Sequence, residues 1–483
     1  MSESHCGTGV TTILRTKYIA CALMTLVVAR AWGTSGASPS TPSEEEIHQI
    51  LVERVDVQHR SVGIVVGVVT PEGRRVVSYG VLNRGDPRPL DGDTIFEIGS
   101  VTKVFTSLLL ADMVQRGEVS LSDPVGKYLP EGLKLPQWKG RSISLVDLAT
   151  HTSGLPFWPS DFPLIEDVPA YSKYTVEQLY GFLATYEMPR EPGTRWEYSN
   201  TGGGLLGLAL SRRAGMDYES LVRARIAGPL GIKNTQVTVA PEKRALLATG
   251  HDERLQPTPV WDVPALPGAG SLRSSVNDLL ALLAAFTGNA EAPLRPAMAA
   301  MLQTRRPNEI YMLEQALGWW VIGKGAGEFL IHGGGTFGFS SSIGYDPRTR
   351  VGAVALSNAS GSVDDIVRHI LRPSMPLDKP QTPKVRKEIV VDTKLLDAYV
   401  GRYRPSPEWV YTVTHEGGAL RIQLPAAPKM RLYAETERDF FLKTSDIQVT
   451  FQTDAQGRAT GLVLHIWGLN VPATRIGPVA GKN

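Results

Sequence analysis

Thiols are almost missing from this chain. It holds two cysteines in 483 residues, Cys6 and Cys21. Both fall within an N-terminal stretch that reads as an export leader. The mature chain is therefore expected to carry no disulfide and no thiolate metal ligand. Beyond that stretch no apolar run approaches the ~20 residues needed to span a bilayer. Charge of one sign is also missing: 50 Lys and Arg stand against 48 Asp and Glu. Three of the former and one of the latter lie in residues 1–37, leaving 47 of each. That balance argues against a nucleic-acid partner or a polybasic membrane contact. The motifs H-E-x-x-H, G-x-x-x-x-G-K-[ST] and G-x-S-x-G do not occur. The signatures of a zinc protease, a P-loop and an α/β-hydrolase elbow are thereby absent. Gly202-x-Gly204-x-x-Gly207 and Gly333-x-Gly335-x-x-Gly338 match a dinucleotide fingerprint, but neither sits in a strand–turn–helix setting, so a nucleotide fold is unsupported.

The leader has Arg15 and Lys17 ahead of an apolar core at residues 18–29, then small-residue cleavage sites at Ala29-Arg30-Ala31 and Ser35-Gly36-Ala37. Residues 1–37 are predicted to be a signal peptide, placing the mature chain in the periplasm, or outside a cell that has no outer membrane, with no membrane span left after cleavage. The whole chain is 42% hydrophobic and 20% charged, ordinary for a globular protein of two or three domains.

Residues 62–69 form an apolar, β-branched run, followed by a turn at Pro71-Glu72-Gly73 and a second strand pattern at 75–79. Residues 120–300 are mostly helix and loop, with helix starts signalled by Ser144-x-x-Asp147, Thr175-x-x-Gln178 and Ser275-x-x-Asp278. Strand patterns return at 329–332, 341–345 and 351–356, the last two joined by a turn at Asp346-Pro347-Arg348. Strands at both ends with helices between predict an α/β domain over 38–372 whose terminal strands meet in one antiparallel sheet. Pro373, Pro376, Pro380 and Pro383 mark a linker at 373–387. Short alternating runs at 409–414, 420–424, 440–442, 449–451 and 462–466 predict a small all-β barrel over 388–483.

Ser100-Val101-Thr102-Lys103 is the one S-x-x-K in the chain. On a helix starting near Ser100, the hydroxyl and the amine would share a face one turn apart. A lysine withdrawn from water loses its proton readily and can activate the serine. Tyr198-Ser199-Asn200 is the one Y-x-N; a phenol near that pair can relay a proton, and an amide can orient the amine or a carbonyl. His332-Gly333-Gly334-Gly335 ends a predicted strand and offers bare backbone for an oxyanion. Trp319 and Trp320 are expected in the core or cleft wall.

Together these stretches, with Phe96-Glu97-Ile98-Gly99 before the serine and Leu148-Ala149-Thr150-His151-Thr152-Ser153-Gly154-Leu155-Pro156, resemble the serine β-lactamase and penicillin-binding superfamily. The branch is that of class C β-lactamases and D-Ala-D-Ala carboxypeptidases, over residues 45–365. The terminal barrel resembles the lipocalin-like appendage of some members. The resemblance implies an antiparallel sheet with flanking helices and a helical subdomain. It implies that Ser100 is acylated, that Lys103 and Tyr198 share base and acid work, and that Asn200 positions them. Backbone N–H groups of Ser100 and Gly335 would form the oxyanion hole, with His332 and Gly334 beside the substrate. No metal or organic cofactor is implied. The implied substrate is a β-lactam or a D-Ala-containing peptide. His151 is expected at a helix end, shaping the site. One departure stands out: most β-lactamases carry Lys-Thr-Gly or Lys-Ser-Gly where this chain has His332-Gly333-Gly334. An esterase or D-aminopeptidase of the same superfamily is therefore an alternative, and a non-catalytic penicillin sensor or wall-binding protein is another.

Overall fold

The computed structural model describes residues 41–479 apart from 163–169, 309–312, 379–385, 407–408, 425–428, 443–446 and 467–468. The leader and part of the Pro-rich linker lie outside the described residues.

Nine strands make one antiparallel sheet: β1 (Gly63–Thr70), β2 (Gly73–Asn83), β3 (Asp86–Pro89), β4 (Arg306–Asn308), β5 (Leu313–Ala316), β6 (Trp319–Ile322), β7 (Phe329–Gly335), β8 (Ser340–Asp346) and β9 (Val351–Ser357). Their order is β3-β2-β1-β9-β8-β7-β6-β5-β4, so the first and last strands of this part of the chain pair at its centre, as the sequence pattern implied. β1 is apolar throughout because both its faces are covered, and its side chains divide by parity. Val65 and Val69 join the core shared with the large helical layer, whereas Ile64, Val66 and Val68 join a second core. That second core is closed by the helices Glu44–Val52 and Asp364–Leu371. Across it the buried Arg54 pairs with Asp365.

The helical layer begins with Thr102–Gln115, whose residues 102–113 are all buried. Ser100 sits one turn earlier, in a 3₁₀ turn (Gly99–Val101), rather than inside the helix itself. The capping boxes at Ser144 and Thr175 are complete. At Ser275 the hydroxyl caps Asp278 N–H, but the Asp278 carboxylate turns away to accept from Lys233 N–H, Asn234 N–H and the Thr235 hydroxyl. Trp319 is fully buried against Phe286 and Tyr345.

Eight further strands, from Gly401–Ser406 to Leu469–Gly477, close into a barrel in which neighbours in sequence are neighbours in space. The preceding helix, Thr393–Tyr399, sends Leu396 and Tyr399 into its core with Tyr403, Tyr411, Phe440 and Phe451. Tyr399 stacks on Phe451 with centroids 4.2 Å apart. An eight-stranded barrel of this kind is filled by its own side chains.

Candidate active site

Ser100 stands where a two-stranded pairing of Phe96–Glu97 with Arg273–Ser274 gives way to the Thr102–Gln115 helix. Gly99 makes the bend with φ +46°. The end of β7 runs directly against this bend. A Cβ on Gly334 would lie 2.2 Å from Ile98 O and 3.0 Å from Ser100 N, and one on Gly99 would lie 2.6 Å from Gly335 O. Contacts under about 3 Å to backbone cannot be relieved by a rotamer change, so these glycines let the two segments mesh. Ser341, on β8, adds a bond from its hydroxyl to Ile98 O at 2.8 Å. The backbone of Ser100 and of Gly335 thus edge one junction, while Ser100 itself is partly exposed.

Lys103 lies one turn into the helix, 3% exposed. Its Nζ is 3.1 Å from Ser100 Oγ, 2.7 Å from Asn200 Oδ1 and 2.6 Å from Ala269 O. The glycine run in the helix Asn200–Ala214 makes room for the lysine stem: a Cβ on Gly203 would lie 3.0 Å from Lys103 Cε. Burial holds the amine well below its ordinary pKa. A neutral amine has two N–H bonds and one lone pair. Asn200 Oδ1 and Ala269 O can only accept, so they take both hydrogens. The lone pair is left for the Ser100 hydroxyl. With the amine neutral, the three partners therefore orient its lone pair toward the Ser100 hydroxyl.

Tyr198 is brought to the same place. Lys103 Nζ lies over its ring, 4.9 Å from the centroid. The ring also stacks on His151 at 4.3 Å and lies 5.8 Å from the ring of Phe157, which is 39% exposed. Sequence reasoning thus placed Ser100, Lys103, Tyr198, Asn200, Gly334 and Gly335 in one neighbourhood, and the fold joins them.

His332 behaves differently. Strand parity points it to the helical side of the sheet with Leu330. It is 1% exposed, its ring 5.7 Å from that of Trp320. Nδ1 is 2.7 Å from Gly333 O, which fixes the proton on Nδ1 and leaves a buried Nε2 without a hydrogen-bond partner. Burial, aided by Lys103, pushes its pKa down to about 3. The imidazole is therefore uncharged at neutral pH and does not replace the cation that a lysine would bring.

One contributor escaped the motif reading and another was read only in outline. Ala269 acts through its carbonyl, which no side-chain pattern announces. His151 was expected at a helix end, shaping the site, but with no stated contacts; it follows the helix Leu145–Ala149 and stacks on Tyr198. Among the described residues no group of three or more His, Cys, Asp or Glu is placed to hold a metal ion, and no helix is long and apolar enough to cross a membrane.

The family model described as Beta-lactamase matches residues 47–373, and a domain family of unknown function, DUF3471, matches residues 385–474, over the barrel. The D-alanyl-D-alanine-carboxypeptidase/endopeptidase AmpH of Escherichia coli is 30% identical over 263 residues, covering 53% of this chain and 67% of its own. Penicillin-binding protein 4* of Bacillus subtilis is 25% identical over 455 residues, 88% of this chain and 98% of its own. A solved class C β-lactamase from Rhodobacter sphaeroides superposes with a TM-score of 0.58 at 29% identity, over 66% of this chain and 96% of that one.

Proposed function

This chain belongs to the beta-lactamase family and is a serine hydrolase of that family, and we propose that it forms an acyl-enzyme on Ser100 and hydrolyses the amide bond of β-lactams or D-Ala-type peptides. The observation that carries this is the Lys103 amine, 3.1 Å from Ser100 Oγ with its two other neighbours both acceptors. Ser100 Oγ adds to the carbonyl carbon as its proton passes to Lys103 Nζ. Negative charge gathers on the carbonyl oxygen, and the backbone N–H groups of Ser100 and Gly335 are the donors proposed for it. The C–N bond then breaks, and Tyr198, against Lys103, relays the proton to the leaving nitrogen. Water, deprotonated by the same pair, releases the acid and restores Ser100. Incubation with benzylpenicillin is expected to add one penicilloyl mass to the wild type and none to Ser100→Ala. A penicilloyl adduct on the alanine variant would reject the nucleophile.

The buried, neutral His332 favours a second reading, an esterase or D-aminopeptidase acting on substrates with no carboxylate to recognise. Turnover of p-nitrophenyl acetate with no nitrocefin opening would select it. Export through the 1–37 leader is part of the proposal, as is a division into the hydrolase part (38–372), linker (373–387) and barrel (388–483). Amino-terminal sequencing of the exported product and limited proteolysis test these two points.

A further inference from the structure

We infer that His151 is the positioning residue for Tyr198 and Asn200, clamping the Y-x-N segment against Lys103. Three separate contacts join it to consecutive parts of that segment. Its carbonyl accepts from Glu197 N–H at 2.7 Å, its Nδ1 accepts from Ser199 N–H at 3.1 Å, and its ring stacks on Tyr198 with centroids 4.3 Å apart and planes 28° from parallel. The Tyr198 ring so held also lies beneath the Lys103 amine, whose Nζ is 4.9 Å from its centroid. The bond to Ser199 N–H also fixes the cap of the helix that begins at Asn200, since the Ser199 hydroxyl accepts from Gly202 N–H at 2.8 Å. Asn200 then meets Lys103 at 2.7 Å. One side chain therefore sets the bearing of two of the groups around the amine.

The conformation of His151 fits a residue retained for this task. Its φ is +57°, a region that non-glycine residues seldom occupy, with Asn, Asp and His the commoner exceptions. It is 3% exposed, and burial holds its pKa well below the ordinary imidazole value; the Ser199 N–H donated to Nδ1 places the ring's proton on Nε2. A protonated ring would lose the bond to Ser199 N–H.

Two variants separate the contacts, because Asn and Gly both tolerate this backbone. Asn places an amide oxygen where Nδ1 stood and removes the ring; Gly removes both. His151→Asn is expected to lower kcat about tenfold and His151→Gly about 100-fold, each with KM nearly unchanged, as misplaced catalytic groups do. A general packing defect would instead spread across KM and leave Asn no better than Gly. Wild-type kcat in a folded glycine variant, or equal kcat in the two variants, overturns the assignment. Should the glycine variant not fold, unchanged kcat in the asparagine variant does so alone. The catalytic consequence rests on the acyl-enzyme proposal, so a crystal structure of the variant supplies a separate readout. The Tyr198 ring is expected to leave its place over Lys103; a ring still about 4.9 Å from Nζ refutes the clamp whatever the activity. Turnover that survives Ser100→Ala would instead sink the acyl-enzyme proposal and leave this structural test standing.

Discussion

Asn200 Oδ1 accepts from Lys103 Nζ at 2.7 Å, with no carboxylate among the amine's hydrogen-bond partners. A neutral amide at this position matters, because a carboxylate would favour the ammonium form. Asn200→Asp is expected to fold, since an acid suits the first turn of a helix. It should raise the Lys103 pKa and so move the acid limb of the kcat/KM profile to higher pH. Pre-steady-state acylation followed across pH checks this; an unmoved limb would show that Lys103 is not the titrating base.

Lys103→Met keeps the apolar stem and removes the base. The acylation rate is expected to fall by about 10²–10⁴, with only a small change in melting temperature, because relief of the buried amine is offset by the loss of its bonds to Asn200 Oδ1 and Ala269 O. Stopped-flow acylation and thermal unfolding measure the two effects.

Gly334→Ala puts a methyl 2.2 Å from Ile98 O. The neighbouring atom is backbone, so the end of β7 must move away from Ser100. Loss of one oxyanion donor's alignment predicts a drop in acylation of about 10²–10³. Rates near wild type would show that the oxyanion is held elsewhere.

Glu97 and Arg273 face each other across their short strand pair, and both are nearly fully buried. Between them they hold the Trp261 peptide: Glu97 accepts its N–H at 2.8 Å and Arg273 donates to its C=O at 2.7 Å. Burial, only partly offset by Arg273, raises the Glu97 pKa from 4.5 to about 7. The folded state therefore binds a proton that the unfolded state has already released between these values. The corresponding stability is present in full below pH 4.5 and is lost as pH rises through 7. Glu97→Gln should flatten that slope, by up to about 3 kcal/mol between pH 5 and 8. Urea unfolding of both proteins at several pH values tests it; parallel curves would refute it.

Phe451→Ala should cost the barrel about 3–5 kcal/mol, since it removes the ring stacked on Tyr399 and leaves a void in a filled core. Denaturant unfolding of the full chain, followed by a probe in the barrel, reads the loss.

The sequence revealed most of what rests on strong local patterns. β1 and β9 were legible because buried central strands read as apolar runs, while β7 showed through its apolar start and β8 through the Asp346-Pro347-Arg348 turn that follows it. The short strands β4 to β6 and the barrel strands Gly401–Ser406, Lys429–Ala434 and Leu469–Gly477 were not, because their patterns are short or polar. In the site, Ser100, Lys103, Tyr198 and Asn200 carried recognisable spacing. What spacing could not give was environment. That His332 is buried and uncharged follows from its strand parity, which turns it with Leu330 toward the helical layer. The second acceptor of Lys103 is the Ala269 carbonyl, which depends on chain path alone.

The central pairing of β1 with β9 has a consequence for how the chain acquires its shape. Gly63 bonds Asn358, 295 positions later, so the middle of the sheet stays unfinished until nearly all of the hydrolase part has been synthesised. Until then the Gly63–Thr70 segment, paired with β2 on one side, presents one sticky, unsatisfied edge on the other. Closure across so many residues is slow. A newly made molecule should thus linger in an open, threadable state, and it would need a chaperone's protection against clumping with its siblings.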